Sequence, residues 1–481
     1  MVAVITGRLT GPCMRKGIVI LLVIATVVMT ASWFRGEAQA IPAFARKYNM
    51  SCSNCHVSGF PKLNDFGNRF RDQGYQMNTD EDEPANTHFA YWPISLRTSI
   101  GYQYSSASRL AVGSPATDRA YATSGSFGFT GLDILSFGTI TKNISYGVVY
   151  LPGLRSAGFN TGSTTSDSDL EYAFVRFNNI ADSSLLNVRL GKHELDLPFS
   201  EKRSPTLNSL FAIYHYVPGS RFGGAISNPA GNPSYANAND LALGDNHLGV
   251  ELMGWKETEA TDGTFRYSVS VISNSSLNQT VSGGGRNVMV YGHATQSFSG
   301  YGFTEGHRVG VFGMYGQAPT VANAASASGS AISGAGQASK TFYRLGVDAS
   351  TTALDGNLNL FGAYMFSEDS KDLFSTQGVV NAQAARWHGG FVEADYNITT
   401  PLVVYYRYDL IRNTRQGDSA FEKKFGDVDA HTLAFRHHFL VSKRMGAAFH
   451  AEYSYIRTAK TGAFNDDQIA NVFFTGVDLA F

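Results

Sequence analysis

The chain has 481 residues, of which 43% are hydrophobic, 13% aromatic and only 16% charged, with a formal net charge of -1. Soluble domains carry about 25% charged residues, so this chain is charge-poor, yet a mean hydropathy of -0.13 excludes a bundle of membrane helices. The near-neutral charge gives no ground for nucleic-acid binding, the apolar content excludes whole-chain disorder, and 50 Gly with 24 Tyr and 33 Phe suit a large β-barrel.

Residues 1–40 read as an export signal. Arg15 and Lys16 precede an apolar run from Gly17 to Ala31, and Ala38-Gln39-Ala40 offers small residues for cleavage. Met14 is an alternative start within an unusually long leading segment. The run of about 15 residues is short for a spanning helix. Its removal takes away Cys13 and leaves Cys52 and Cys55.

Residues 41–90 predict a small α-helical c-type cytochrome module and linker. Cys52-Ser53-Asn54-Cys55-His56 has the spacing of c-type haem attachment. Two thiols at that spacing add across the haem vinyl groups, and the adjacent imidazole reaches the iron from one face. The expected cofactor is therefore one covalently attached haem c on Cys52 and Cys55, with His56 as the proximal iron ligand. A redox CxxC would sit in a thioredoxin-like βαβ pattern, and a zinc site would need a second cysteine pair; the sequence offers neither. Pro61 suits a helix start, and Leu63, Phe66 and Phe70 then recur at helical spacing up to Gly74. That face, with Phe44 and Phe60, matches a haem edge. Arg46, Arg69 and Arg71 are either propionate partners or solvated surface. For the sixth iron ligand Met77 is the foremost candidate, because it follows the helix; His88 and an open position are the alternatives, and Met50 lies too close to the attachment turn. A thioether would raise the potential relative to a second imidazole. Asp80-Glu81-Asp82-Glu83 reads as a solvated linker.

Residues 91–481 alternate with a period of two. Ile94, Leu96, Thr98, Ile100, Tyr102 and Tyr104 share one face, and Ser95, Arg97, Ser99, Gly101 and Gln103 the other. Leu248-Val250-Leu252, Phe265-Tyr267-Val269-Val271, Leu402-Val404-Tyr406-Tyr408-Leu410 and Phe449-Ala451-Tyr453-Tyr455 repeat the scheme, with small or polar residues between them. Apolar-out and polar-in is the pattern of a transmembrane outer-membrane β-barrel, here of about 16 strands. Short links such as Asn179–Ser184 and Ile398–Pro401 alternate with long ones: Ser105–Ser124, Pro152–Asp169, Glu194–Asn246, Gln317–Thr341, Ser367–Arg386 and Arg412–Asp429. Glu194–Asn246 folds either inward as a constriction or outward as a docking surface, and its Asp196, Glu201 and Asp240 read as solvated charges. Thr320–Ser339 is a low-complexity surface loop. The final Val477-Asp478-Leu479-Ala480-Phe481 is similar to the signal read by the barrel-assembly machinery. A soluble sandwich or propeller would show blade-like repeats and would expose too many aromatics.

The stretch Ala40-Ile41-Pro42-Ala43-Phe44-Ala45-Arg46, then Cys52–His56, then Pro61-Lys62-Leu63-Asn64-Asp65-Phe66-Gly67 with Phe70 and Gly74-Tyr75 resembles the fused monohaem cytochrome c–porins of iron-oxidising bacteria and their relatives. The resemblance covers about residues 40–77 by motif; the barrel matches in architecture. Where iron-oxidiser versions commonly carry Gln-Thr-Gly, this chain has Lys47-Tyr48-Asn49. The resemblance implies electron transfer across the outer membrane, with extracellular Fe(II) as donor in the characterised branch. The partners expected are the outer-membrane lipid bilayer and a periplasmic electron carrier such as a soluble c-type cytochrome. A porin plugged or gated by its haem module, and outward transfer to extracellular acceptors, are the alternatives.

Overall fold

The computed structural model describes residues 42–51, 54–56, 62–77, 93–112, 118–152, 169–204, 206, 210–219, 222, 239, 241–273, 288–317, 341–375, 379–441, 445–461 and 466–481. The expected export signal, Cys52, Phe60, Pro61, the acidic run at 80–83, His88 and Asp240 lie outside these residues.

Sixteen antiparallel strands close into a barrel in which each strand pairs with its sequence neighbours and β1 pairs with β16. The strands are β1 (Ile94–Val112), β2 (Asp118–Thr141), β3 (Ile144–Leu151), β4 (Asp169–Phe177), β5 (Asn187–Glu194), β6 (Asn246–Thr258), β7 (Gly263–Ser273) and β8 (Met289–Ser299). They continue as β9 (Thr304–Gln317), β10 (Thr341–Ala353), β11 (Leu358–Asp369), β12 (Ala385–Thr399), β13 (Leu402–Arg415), β14 (Val428–Val441), β15 (Gly446–Thr461) and β16 (Asp466–Ala480). Closure removes the edges that an open sheet would expose to lipid. Phe481 completes the seam, exchanging backbone hydrogen bonds of 2.7 and 2.9 Å with Leu96.

The two-residue period sorts side chains as the sequence predicts. Val250, Val269, Val311 and Tyr406 are exposed on the outer face, whereas Ser95, Ser99, His450 and Glu452 are buried inside. Links of 142–143, 259–262, 300–303, 354–357 and 400–401 cluster at one end, which marks it as the periplasmic end of an outer-membrane-type barrel. The long connection expected at Ser105–Ser124 is different: β1 and β2 run through most of it and leave only 113–117 as the link. About 9–11 residues suffice for a spanning strand, so β1, with 19 residues, and β2, with 24, continue past the bilayer. Their Ser- and Ala-rich tips keep extended pairing without a continuous apolar outer stripe, which is why alternation alone missed them.

The lumen is not simply polar. Between β5 and β6 the chain turns inward, and Leu195, Leu197, Phe211, Ile213 and Tyr214 are buried against inner-face Phe342, Phe361, Met365, Trp387 and Phe391 in one apolar cluster. Phe211 stacks on Phe391 with ring centroids 4.1 Å apart. A single helical turn, Ala212–His215, is held by the Ala212 amide donating to Asp409 Oδ1 at 3.0 Å. Asp196 is buried and Glu201 half-buried, and both are paired rather than solvated: Asp196 meets Arg266, and Glu201 Oε2 lies 2.5 Å from His215 Nε2. Burying a charge demands such a partner.

Candidate functional site

Two short helices, α1 (Pro42–Lys47) and α2 (Asp65–Asp72), precede the barrel and sit within its periplasmic half. The Ala43 amide donates to Ser95 Oγ at 3.1 Å and Arg46 Nη2 to the Ile94 carbonyl at 2.7 Å, which fixes α1 beside the start of β1. Gln76 Nε2 donates to Asn143 Oδ1 at 2.9 Å in the β2–β3 turn. Arg176 of β4 donates to the carbonyls of Arg71 (2.9 Å) and Asp72 at the end of α2, a favourable place for a cation. Lys62 reaches the opposite wall, pairing with Asp395 of β12 at 2.6 Å and lying 3.6 Å from the Phe361 ring centre. The segment therefore crosses the lumen from β4 to β12.

Asn64 organises the turn at Cys55 and His56. Its Oδ1 accepts the Gly67 amide at 2.9 Å, an N-cap bond that satisfies a donor orphaned at the helix start. Its Nδ2 donates to the Asn54 carbonyl and its amide to the Cys55 carbonyl, both at 3.0 Å. His56 is buried and bridges Leu63, with Nδ1 3.2 Å from the Lys62 carbonyl. An imidazole whose Nδ1–H donates to a carbonyl offers Nε2 as the ligating nitrogen. Helix α2 rests directly on this turn: a Cβ at Gly67 would stand 2.1 Å from the Cys55 carbonyl oxygen. After α2 the chain leaves through Gly74 and Tyr75, both at positive φ, and the Tyr75 ring stacks on Phe44 at 5.4 Å.

Cys55 and His56 open onto a cavity of about 250 Å³ between this segment and the wall formed by β1 to β7. One side is apolar, from Phe44 and Leu63 to Leu135, Phe137, Val149 and Phe174. The rest is charged. Arg71, Arg97, Arg176, Arg189, Lys202, Arg203 and Arg266 line it together with Asp72, Asp133, Glu171, Glu194 and Asp196, and Arg97 and Arg189 also pair with Asp478 and Glu251 behind the lining. The Nε atoms of Arg176 and Arg189 are buried with no hydrogen-bond partner among the described residues.

An ion-pair chain ties the N-terminal segment to the inward connection. Asp72 Oδ2 meets Arg266 Nε at 2.9 Å, Arg266 Nη1 meets Asp196 Oδ2 at 2.7 Å, and His293 bridges Asp196 and Asp348 at 3.3 and 3.0 Å. Burial works against ionisation of Asp72, but Arg266, Arg71 and Arg176 outweigh it and hold its carboxyl below the ordinary range. Burial likewise opposes ionisation of Asp196, and Arg266 and His293 overcome it, leaving that carboxyl well below its usual range.

Of the residues singled out by sequence, Phe44, Cys55, His56, Leu63, Arg71 and Asp196 meet at the cavity. Met77 and Met50 pack against the Phe44–Tyr48–Phe70 cluster, and Met77 is not part of the lining. Arg46 serves the β1 backbone instead of the cavity, and Arg69 is exposed. Arg176, Arg266, Asp395 and the cavity-lining Met253 escaped sequence reading. The only signal for Arg176 was a charge on the inward register of an otherwise aromatic strand, Tyr172-Ala173-Phe174-Val175-Arg176.

Fold and site define a porin-like outer-membrane β-barrel with its lumen occupied from within. No protein-family model and no curated protein matches the sequence. Among solved structures the chain is similar to the anion-selective porin from Comamonas acidovorans, at 12% identity and TM-score 0.48 over 81% of this chain and 99% of that one. It is also similar to OprB of Pseudomonas putida, at 10% identity and TM-score 0.43 over 89% of this chain and 99% of that one. The outer-membrane channel DcaP of Acinetobacter baumannii stands at 11% identity and TM-score 0.43, covering 80% and 96% of the two chains.

Proposed function

We propose that the protein is an outer-membrane electron conduit in which a c-type haem, attached through Cys52 and Cys55 with His56 as proximal ligand, sits inside the barrel. Electrons would pass between an extracellular donor, Fe(II) being the one the sequence resemblance implies, and a periplasmic carrier. The observation that carries this reading is the opening of Cys55 and His56 onto an apolar-walled, cation-rimmed cavity within the lumen. Haem suits that cavity: its apolar faces would lie against Phe44, Phe137 and Phe174, and its propionates would meet an arginine-rich rim in which the Nε atoms of Arg176 and Arg189 are buried with no hydrogen-bond partner among the described residues. When bound, the haem supplies a one-electron couple whose potential follows from axial ligation and burial.

The chain's own residues set the rest. The Lys62 carbonyl orients the His56 ring, and Asn64 with Gly67 holds the attachment turn on α2. Arg176, Arg266 and Lys62 fasten the segment across the lumen. Above it the inward connection places apolar side chains in the lumen, which in this reading would shield the cofactor from water and narrow the route for solutes. That filling also supports a second reading, a porin whose N-terminal segment plugs or gates the pore. The same device run in the opposite direction would deliver electrons to extracellular acceptors.

Expression in cells able to attach c-type haem tests the cofactor directly. The expected result is a covalent haem signal on the denatured chain, abolished by joint Cys52→Ser and Cys55→Ser substitution, and an altered iron spectrum in His56→Ala. A folded barrel without covalent haem under those conditions would favour the plugged-porin reading.

A further inference from the structure

We propose that the barrel wall completes the haem site, with Met253 of β6 as the sixth ligand to the iron; the inference rests on the haem reading above. Met253 is buried at 6% exposure and lines the same cavity as Cys55 and His56. Its register partners Asn187 and Ser268 are buried on the inner face. Asn187 Nδ2 donates to the carbonyls of Ser184 and Met253 at 2.9 and 3.1 Å, clamping β6 to the β4–β5 turn at this position. The thioether is thus carried on a fixed segment of the wall.

The chemistry narrows the choice. Besides Cys55 and His56, the cavity lining holds one further sulfur or imidazole donor among the described residues, and it is Met253. The harder donors nearby are engaged: the Tyr172 hydroxyl donates to Glu194 Oε2 at 3.2 Å, and Lys202 pairs with Glu171 at 3.0 Å. A thioether is a soft ligand of the kind that, with histidine, completes the iron of electron-transfer cytochromes. Met77 packs against the neighbouring aromatic cluster and does not line the cavity. A ligand carried by the wall makes the iron site incomplete until the N-terminal segment is docked, so ligation and plugging become one event.

The test is spectroscopic, on the full-length, haem-loaded protein in detergent, comparing wild type with Met253→Leu, Met253→His and Met77→Leu. Wild type should show the methionine-to-ferric-iron charge-transfer band and, when reduced, a strongly upfield-shifted methionine methyl resonance. Met253→Leu should lose both, Met77→Leu should keep both, and Met253→His should give a low-spin two-histidine spectrum with a lower potential. The histidine variant keeps the test valid should the leucine variant misfold. Retention of the methionine signature in Met253→Leu, its loss in Met77→Leu, or its absence from wild type would overturn the assignment while leaving covalent haem in place. A wild-type barrel carrying no covalent haem would overturn the cofactor reading itself.

Discussion

A methyl group at position 67 would collide with the carbonyl of Cys55, the residue next to the candidate iron ligand. Gly67→Ala forces either the turn or α2 to shift, at a cost of about 1–3 kcal/mol for an overpacked contact. It is expected to raise protease cleavage within residues 42–77 while the barrel stays resistant. Equal protection in variant and wild type would contradict the packing described. Asp72 makes a second, pH-dependent prediction. Its folded-state pKa is lowered, because burial is outweighed by Arg266, Arg71 and Arg176, so its contribution is fully present above the ordinary Asp value of about 3.9. It is lost as pH falls through the lower, folded value. Docking of the N-terminal segment, followed by the same protease assay with an acid-active enzyme, should weaken across that acidic window in wild type. Asp72→Asn should flatten the profile. At this scale the sequence showed Cys55 and His56 through their spacing, but it could not show Lys62 meeting Asp395 or Asp72 meeting Arg266. Those pairs join residues far apart in the chain, and only barrel closure brings them within 3 Å.

The strands were legible because lipid outside and a packed lumen inside impose opposite demands on alternate residues, and Val269, Val271 and Tyr406 carry that demand in the open. The length of β1 and β2 was hidden, since strand pairing beyond the bilayer needs no apolar stripe. The inward turn after β5 was hidden for a different reason: Leu195 and Leu197 are separated from Phe211 and Ile213 by a polar stretch interrupted by Pro198 and Pro205, and the four form no sustained periodic pattern. Their partners are inner-face residues of β8 to β13, such as Phe391, that break the polar-in rule. Phe211 stacks on Phe391 and lies beneath Arg407, 4.4 Å from its ring centre. Phe211→Ala should cost about 3–5 kcal/mol of stability, as for other buried aromatic truncations. In a planar bilayer it should also produce ion conductance above the wild-type level. An unchanged unfolding midpoint together with unchanged conductance would show that this connection does not seal the lumen.

At the scale of the whole molecule, two layers occupy one barrel: the CxxCH segment at the periplasmic end and the apolar connection beyond it. Arg266 links them by holding Asp72 of the first and Asp196 of the second. In the proposed conduit, the first layer would carry the redox centre and the second would shield it. Charge crosses the proposed conduit as electrons and not as solute. This crossing is tested most directly by reconstituting the haem-loaded protein in liposomes that enclose an electron acceptor and adding Fe(II) outside. The expected result is reduction of the enclosed acceptor that disappears in His56→Ala, with Fe(II) itself kept out of the interior. An inserted, redox-active haem that passes no electrons to the acceptor from Fe(II) or from any other external reductant would contradict the account.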